Sequence, residues 1–83
     1  MFQIKIKPKA EKELNSLLKK DYYKILSASA YLSNDPYIGK KLKGKCDGYY
    51  SYRVWPYRIV YKILKKEQVV LIIRIGHRQG IYN

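Results

Sequence analysis

The sequence predicts an α+β fold in which a helical hairpin packs on a small, mainly antiparallel sheet, in the order β-α-α-β-β-β. Apolar residues recur at helical spacing between residues 8 and 34, whereas the chain alternates with a period of two after residue 48. The predicted strands of the second half have short connections, which favour antiparallel hairpins. The chain has 83 residues, so we expect residues 1–83 to form one domain.

The first half is predicted to hold one strand and the start of a hairpin. Residues 2–7 alternate apolar and polar side chains, as a strand does, and Pro8 suits the first turn of a helix. We expect the helix that follows to end near Lys19 and Lys20 and the next helix to be capped by Asp21. The apolar face of the first helix is expected to carry Ala10, Leu14, Leu17 and Leu18.

The second helix is predicted to end at Asn34-Asp35-Pro36, because a residue that precedes proline avoids the helical region. Its buried stripe should hold Tyr22, Ile25, Ser29 and Leu32. Residues 36–48 are predicted to form a loop rich in glycine and lysine. Residues 48–54, 57–64 and 69–75 are predicted strands, and the last is apolar on both faces, which indicates a central position in the sheet.

The chain is strongly basic, with 18 Lys and Arg against 6 Asp and Glu and a formal net charge of +12. Such a surface attracts nucleic acid, an anionic membrane or an acidic protein. The single cysteine excludes an internal disulfide. One cysteine and one histidine also cannot form a zinc site unaided. Residues 1–9 do not resemble a signal peptide, and the longest apolar run, residues 69–73, is too short to span a bilayer. We therefore expect a cytoplasmic protein.

Arginine is confined to the second half, at Arg53, Arg58, Arg74 and Arg78. If the hairpin is symmetric about Trp55-Pro56, Arg53 lies directly opposite Arg58. Like charges in that arrangement destabilise a sheet, so an anion such as phosphate is expected between them. Proline in this turn requires a cis peptide bond, and a longer loop would break the pairing.

His77 and Tyr82 are further candidates for chemistry. Histidine is the side chain best placed to exchange protons near neutral pH, although a histidine at a strand end also commonly binds the backbone. Most of the ten tyrosines are expected to fill the core, whereas Tyr82 lies outside any predicted strand and near His77. The sequence has no carboxylate pair for magnesium, no phosphate-binding glycine loop and no serine triad. A nuclease of this composition would be metal-independent and would use the ribose 2′-hydroxyl of RNA.

Short motifs in a specific order give the chain a resemblance to the RelE/ParE toxin superfamily. They are Lys41-Leu42-Lys43-Gly44, residues 48–54 (GYYSYRV), residues 57–61 (YRIVY), Ile75-Gly76-His77-Arg78 and Ile81-Tyr82. The resemblance covers essentially the whole chain and implies a RelE-like fold. Its RelE branch consists of mRNA interferases, endoribonucleases that cut messenger RNA in the ribosomal A site without a metal or other cofactor.

The resemblance also implies roles for individual residues. Arg58 would stabilise the charged phosphorane, and Arg53 would lie near the scissile phosphate. Arg78 would also stabilise the phosphorane or would protonate the leaving oxygen, and His77 would act as acid or base. Tyr82 would orient the substrate or stack on it. The message would be contacted by Lys40, Lys41, Lys43 and Ser51.

The chain departs from the family where a general base is expected. Several relatives carry a basic residue at the position of Ser51, and a subgroup uses a glutamate near the position of Lys40. The base is therefore expected to be His77 or, second, a lysine such as Lys40 or Lys43. Because the sequence stops right after Tyr82, we expect no C-terminal helix that covers the site.

The partners implied are an acidic antitoxin, the ribosome and messenger RNA, but no membrane; the toxin alone would be a monomer and would form a hetero-oligomer with its antitoxin. The main alternative is the ParE branch, which binds DNA gyrase without cutting RNA and generally lacks the catalytic cluster. A second alternative is an inactive, RNA-binding relative.

Overall fold

A computed structural model describes residues 1–44 and 48–77. A strand and two helices come first, followed by a short 3-10 helix and four strands. The elements are β1 (Gln3–Ile6), α1 (Pro8–Asn15), α2 (Lys19–Asn34), the 3-10 helix Pro36–Ile38, β2 (Lys40–Lys41), β3 (Tyr50–Val54), β4 (Tyr57–Leu64) and β5 (Val69–His77). The predicted order holds, with β2 as an additional strand of two residues that the sequence pattern did not indicate.

The strands form one mixed sheet in the order β1-β5-β4-β3-β2. β1 pairs with β5 in parallel, and the other neighbouring strands are antiparallel. The prediction of a central last strand is confirmed, since β5 lies between β1 and β4. A register shift between Val60 and Tyr61 marks a bulge in the β4–β5 ladder.

Both helices contribute to one apolar core against the same face of the sheet. The core residues are Ala10, Leu14, Ile25, Ala28, Leu32, Val54, Ile59, Tyr61, Val70, Ile72 and Ile75. Because side chains alternate along a strand, the residues between these core positions lie on the other face. We call that second face the open face.

The junction between the helices differs from the prediction. α1 ends at Asn15, and α2 already begins at Lys19, so Lys19 and Lys20 start the second helix instead of ending the first. Leu18 is the extended N-cap residue of α2 and is 72% exposed, so it does not belong to the apolar face of α1. Asp21 is not the cap but lies in the first turn of α2. The apolar character of Leu18 extended the helical pattern past the true end of α1.

The rest of α2 follows the prediction. The helix ends at Asn34, and Ile25, Ser29 and Leu32 of the expected stripe are buried, while Tyr22 is half-buried. The buried Ser29 hydroxyl donates to the Ile25 carbonyl at 3.0 Å, which satisfies its hydrogen bond within the helix.

Glu13 of α1 closes the edge of β5 beyond its pairing with β1, which stops at Ile72. Its carboxylate accepts hydrogen bonds from the Ile75 backbone N–H at 2.9 Å and from Arg74 Nη2 at 3.0 Å. Arg74 Nε adds a contact at 3.1 Å. One carboxylate thereby takes the place of a neighbouring strand and fixes α1 to β5.

Within residues 1–44 and 48–77, no helix has both the length and the apolar character needed to cross a membrane.

Candidate nucleic-acid interface

The β3–β4 hairpin places two arginines side by side. Val54 pairs with Tyr57 and Arg53 pairs with Arg58, so the predicted juxtaposition is confirmed. The turn between them is Trp55-Pro56, and its peptide bond is cis, as a proline at the second central position of a tight turn requires. Two guanidinium groups therefore extend from neighbouring strands on the open face.

Ser51 fixes the direction of Arg58. Arg58 is half-buried, and its Nη1 donates to Ser51 Oγ at 3.3 Å, while Arg53 is exposed. Ser51 itself is only 3% exposed. A small hydroxyl at this position leaves room for the guanidinium to lie against the sheet, where a long basic side chain would compete for the same space.

Strand β2 brings Lys40 to the same place. Lys40 pairs with Ser51 across the β2–β3 ladder, so the two side chains share the open face. A cleft of about 310 Å³, the arginine cleft, lies here and is lined by Ile38, Gly39, Lys40, Ser51, Tyr52, Arg53 and Arg58. These lining residues include three cations and no acidic residue, so the cleft has the character of an anion site.

Tyr61 holds the segment that carries Lys40. Its side chain is fully buried, and its hydroxyl donates to the Pro36 carbonyl at 2.6 Å. Burial raises the pKa of Tyr61 to about 12, so the hydroxyl keeps its proton. A Cβ on Gly39 would overlap this hydroxyl, which makes glycine the residue that fits here. The core therefore sets the position of residues 36–41 and, through them, of Lys40.

His77 does not line the arginine cleft. It pairs with Tyr57 on β4, and the rings meet edge to face with centroids 5.7 Å apart. Tyr57 packs against the core from the helix-covered face, and its hydroxyl donates to Asp21 at 2.8 Å, a bond that raises the pKa of Tyr57. Because Arg58 follows Tyr57 on the strand, the structure places His77 and Arg58 on opposite faces of the sheet.

The remaining predicted site residues are dispersed. Lys41 pairs with Tyr50, so it lies on the opposite face of the sheet from Lys40. Lys43 is exposed in the loop after β2 and does not line the arginine cleft. Arg78 and Tyr82 fall outside the described residues, so the roles implied for them stay predictions.

Sequence reasoning missed Gly39 and Tyr61 as residues that shape the site. Tyr61 alternates with Ile59 and Ile63 along β4, which indicates a core position but not its bond to Pro36. Gly39 directly precedes the lysine pair of β2, and a glycine at such a point is a signal of close approach. Within the part of the chain that the structure describes, no three His, Cys, Asp or Glu side chains gather as a metal site would require.

Comparisons with known proteins agree with this architecture. The family described as ParE toxin of type II toxin-antitoxin system, parDE, matches residues 4–82. The toxin RelG of Mycobacterium tuberculosis is 38% identical over 52 residues, which span 61% of this chain and 60% of that relative. The alignment thus covers less than two thirds of the relative's length.

Solved structures match over nearly the whole chain. The RelBE2 toxin–antitoxin complex of Mycobacterium tuberculosis aligns with a TM-score of 0.86 and 28% identity, covering 93% of this chain and 98% of that one. The archaeal RelE–RelB complex of Pyrococcus horikoshii OT3 aligns with a TM-score of 0.81 and 28% identity, covering 95% and 97%. The sequence family and the fold agree, and the chain belongs to the RelE/ParE superfamily of toxins from type II toxin–antitoxin systems.

Proposed function

We propose that this toxin is a metal-independent endoribonuclease that cleaves messenger RNA in the ribosomal A site. The observation that supports this most is the Arg53–Arg58 pair, which sits in a cleft with no acidic lining residue. Two opposed guanidinium groups bind the oxygens of one phosphate, and they become more effective as charge builds up on phosphorus. The proposed place of action is the cytoplasm, where ribosomes are found.

The proposed reaction transfers the phosphate within the RNA strand. The ribose 2′-oxygen attacks the adjacent phosphorus and loses its proton to a base, and the bond from phosphorus to the 5′-oxygen breaks. The products are a 2′,3′-cyclic phosphate and a free 5′-hydroxyl. Arg58 stabilises the phosphorane, and Arg53 holds the phosphate from the facing strand. For Arg78 and Tyr82 we propose the roles that the family resemblance implies. Arg78 stabilises the phosphorane or protonates the leaving oxygen, and Tyr82 orients the substrate or stacks on it.

Lys40 is our first choice for the base, and His77 is our second. Lys40 lines the arginine cleft, whereas His77 contacts Tyr57 on the other side of the sheet. A base must reach the proton that it removes, so position weighs more than the usual preference for histidine. Lys40→Ala should therefore reduce cleavage more than His77→Ala does. The reverse order would assign the proton transfer to His77.

The test of the function is primer extension on a defined message in stalled, purified ribosomes. The wild-type protein should create a new 5′ end within the A-site codon, also in EDTA. Arg58→Ala should reduce the cleavage rate by about 10²–10³-fold, because a preorganised cation at the transition state is lost. Lys62→Ala is the matched control, since it removes an exposed cation from the same strand outside the cleft. Intact message at all toxin concentrations would refute ribosome-dependent cleavage.

A gyrase-binding toxin is the second candidate, because the matching family is described by the name ParE. In that case a supercoiling assay would show inhibition by the wild-type protein and by Arg58→Ala alike, while messenger RNA would stay intact. For either function we propose an acidic antitoxin as partner, because the chain carries a net charge of +12 and the matched structures are complexes of such toxins with RelB-type proteins.

A further inference from the structure

A second concave surface lies where the β3–β4 turn meets the start of α2. We call it the tryptophan cleft; it encloses about 630 Å³ and is lined by Leu18, Lys20, Asp21, Lys24, Trp55 and Pro56. Trp55 is 59% exposed and Leu18 is 72% exposed. Two large apolar side chains exposed in one concave surface and rimmed by charged residues are typical of an interaction site.

The charges around the indole favour an anionic ligand. Lys24 Nζ donates to the Trp55 carbonyl at 2.7 Å, which holds the turn against α2 and places a cation at the rim of the cleft. Lys20 adds a second cation to the rim. The acidic lining residue, Asp21, accepts the Tyr57 hydroxyl at 2.8 Å and is used inside the fold. A flat apolar ring flanked by lysines matches a nucleobase and its phosphates.

The two clefts share one hairpin. Trp55 follows Arg53 by two residues and lies in the turn that joins β3 to β4, so both clefts lie at the same end of the sheet. The arginine cleft lies on the open face, and the tryptophan cleft lies where the turn meets α2. An RNA strand whose phosphate lies between Arg53 and Arg58 can therefore continue around the hairpin turn and bring a neighbouring base to Trp55.

We propose that the tryptophan cleft is a subsite for one unpaired base of the RNA strand whose phosphate occupies the arginine cleft. The base stacks on the indole of Trp55, and Lys20 and Lys24 attract the flanking phosphate. The proposal rests on the proposed function in taking RNA as the ligand. It adds a recognition element outside the reacting groups, which sets affinity for the strand and not the rate of the chemical step.

The chain offers a direct probe, because Trp55 is its one tryptophan. The wild-type protein is titrated with a short single-stranded 2′-O-methyl RNA, which lacks the nucleophile and stays uncut, while the indole emission is recorded. The control is an abasic oligonucleotide of the same length and charge. We expect saturable quenching by the RNA and little by the abasic strand. Equal responses to both, or no response, would overturn the subsite.

Variants give an independent measurement of affinity by fluorescence anisotropy of a labelled 2′-O-methyl RNA. Trp55→Ala should bind about 10- to 100-fold more weakly, and Trp55→Phe should keep most of the affinity, because stacking on the ring is the interaction that alanine removes. Tyr31→Ala removes an equally exposed aromatic ring from the far end of α2 and should bind like the wild type. Wild-type affinity in Trp55→Ala would refute the proposal.

Cleavage and base binding are read out separately. If the wild-type protein cleaves message but the indole does not respond to RNA, the subsite is wrong and the ribonuclease stands. If the indole responds to bases but no message is cut, the ribonuclease is wrong and the subsite stands. If Trp55→Ala weakens binding of a purified acidic antitoxin but not of RNA, the cleft belongs to a protein partner and the proposal falls.

Discussion

The two faces of the β3–β4 hairpin carry different kinds of polar contact. On the covered face, the hydroxyls of Tyr57 and Tyr61 donate to Asp21 and to the Pro36 carbonyl, which belong to α2 and to the segment after it. On the open face, Arg53 and Arg58 stand opposite each other, and Lys40 lies beside them. Along β3 and β4, residues on the covered face thus bind other elements of the fold, whereas the arginines between them add positive charge to the open face. Changes on the covered face should alter stability, whereas changes on the open face should alter activity.

The largest loss of stability is expected for Glu13→Ala. The substitution removes a carboxylate that accepts hydrogen bonds from Arg74 and from the Ile75 backbone. The free energy of unfolding should fall by about 3 kcal/mol, because hydrogen bonds to charged groups are strong and the Ile75 N–H loses its partner. Urea unfolding measures this change. Glu67→Ala, at an exposed turn, should stay within about 0.5 kcal/mol of the wild type; equal losses in the two variants would contradict the role of Glu13.

Gly39→Ala tests the link between the faces. The added methyl group overlaps the Tyr61 hydroxyl, and either the buried ring or the strand that carries Lys40 must shift. We expect a loss of about 2 kcal/mol in the free energy of unfolding, together with reduced cleavage. Ser27→Ala on the exposed surface of α2 is the control and should change neither quantity much. Normal stability and cleavage in Gly39→Ala would show that the loop adapts.

Tyr61→Phe removes the hydroxyl alone. It should cost about 1–2 kcal/mol, since the Pro36 carbonyl loses its donor. The pKa of Tyr61 is raised from 10.0 to about 12, so the unfolded chain releases this proton first, and stability falls as the pH rises from 10 toward 12. In Tyr61→Phe that decline should be shallower, and an unchanged slope in this variant would contradict the role of the Tyr61 hydroxyl. Urea unfolding of both proteins, measured as a function of pH, tests this prediction.

The smallest effect, and the one of opposite sign, is expected for Arg53→Thr. Replacing one of two facing cations by a good strand former should raise the free energy of unfolding by about 0.2–1 kcal/mol while cleavage declines. Lys62→Thr on β4 provides a control without a facing cation in the ladder, since Lys62 pairs with Leu71. A fall in stability in Arg53→Thr would mean that the arginine pair is not repulsive in the free protein.

Regular alternation made much of the sheet predictable. The period of two gave β4 its observed bounds, and the short turn fixed Arg53 opposite Arg58. Strand β2 was not predictable, because two residues cannot show a period and the segment that carries Lys40 is held by Tyr61, a residue distant in sequence that contacts Pro36 and Gly39.

The face of the sheet on which His77 lies could not be predicted for a different reason. The register shift at Val60/Tyr61 changes which residues of β5 face the helices, so that Ile72 and Ile75 both lie in the core although they are an odd number of residues apart. A face assignment counted along the uninterrupted strand is therefore wrong beyond the shift. The helix junction was misplaced because the exposed Leu18 fits the apolar periodicity of α1.

The parallel pairing of β1 with β5 has a consequence for the nascent toxin. Gln3 pairs with Val69, so a strand made at the start of synthesis finds its neighbour only after most of the chain has been made. β5 also supplies Val70, Ile72 and Ile75 to the core, and β4 depends on it for half of its ladder. Contacts between such distant residues form late and slowly. The hairpin that bears the arginines is therefore supported only once β5 has been made, so the arginine cleft assembles at a late stage of folding.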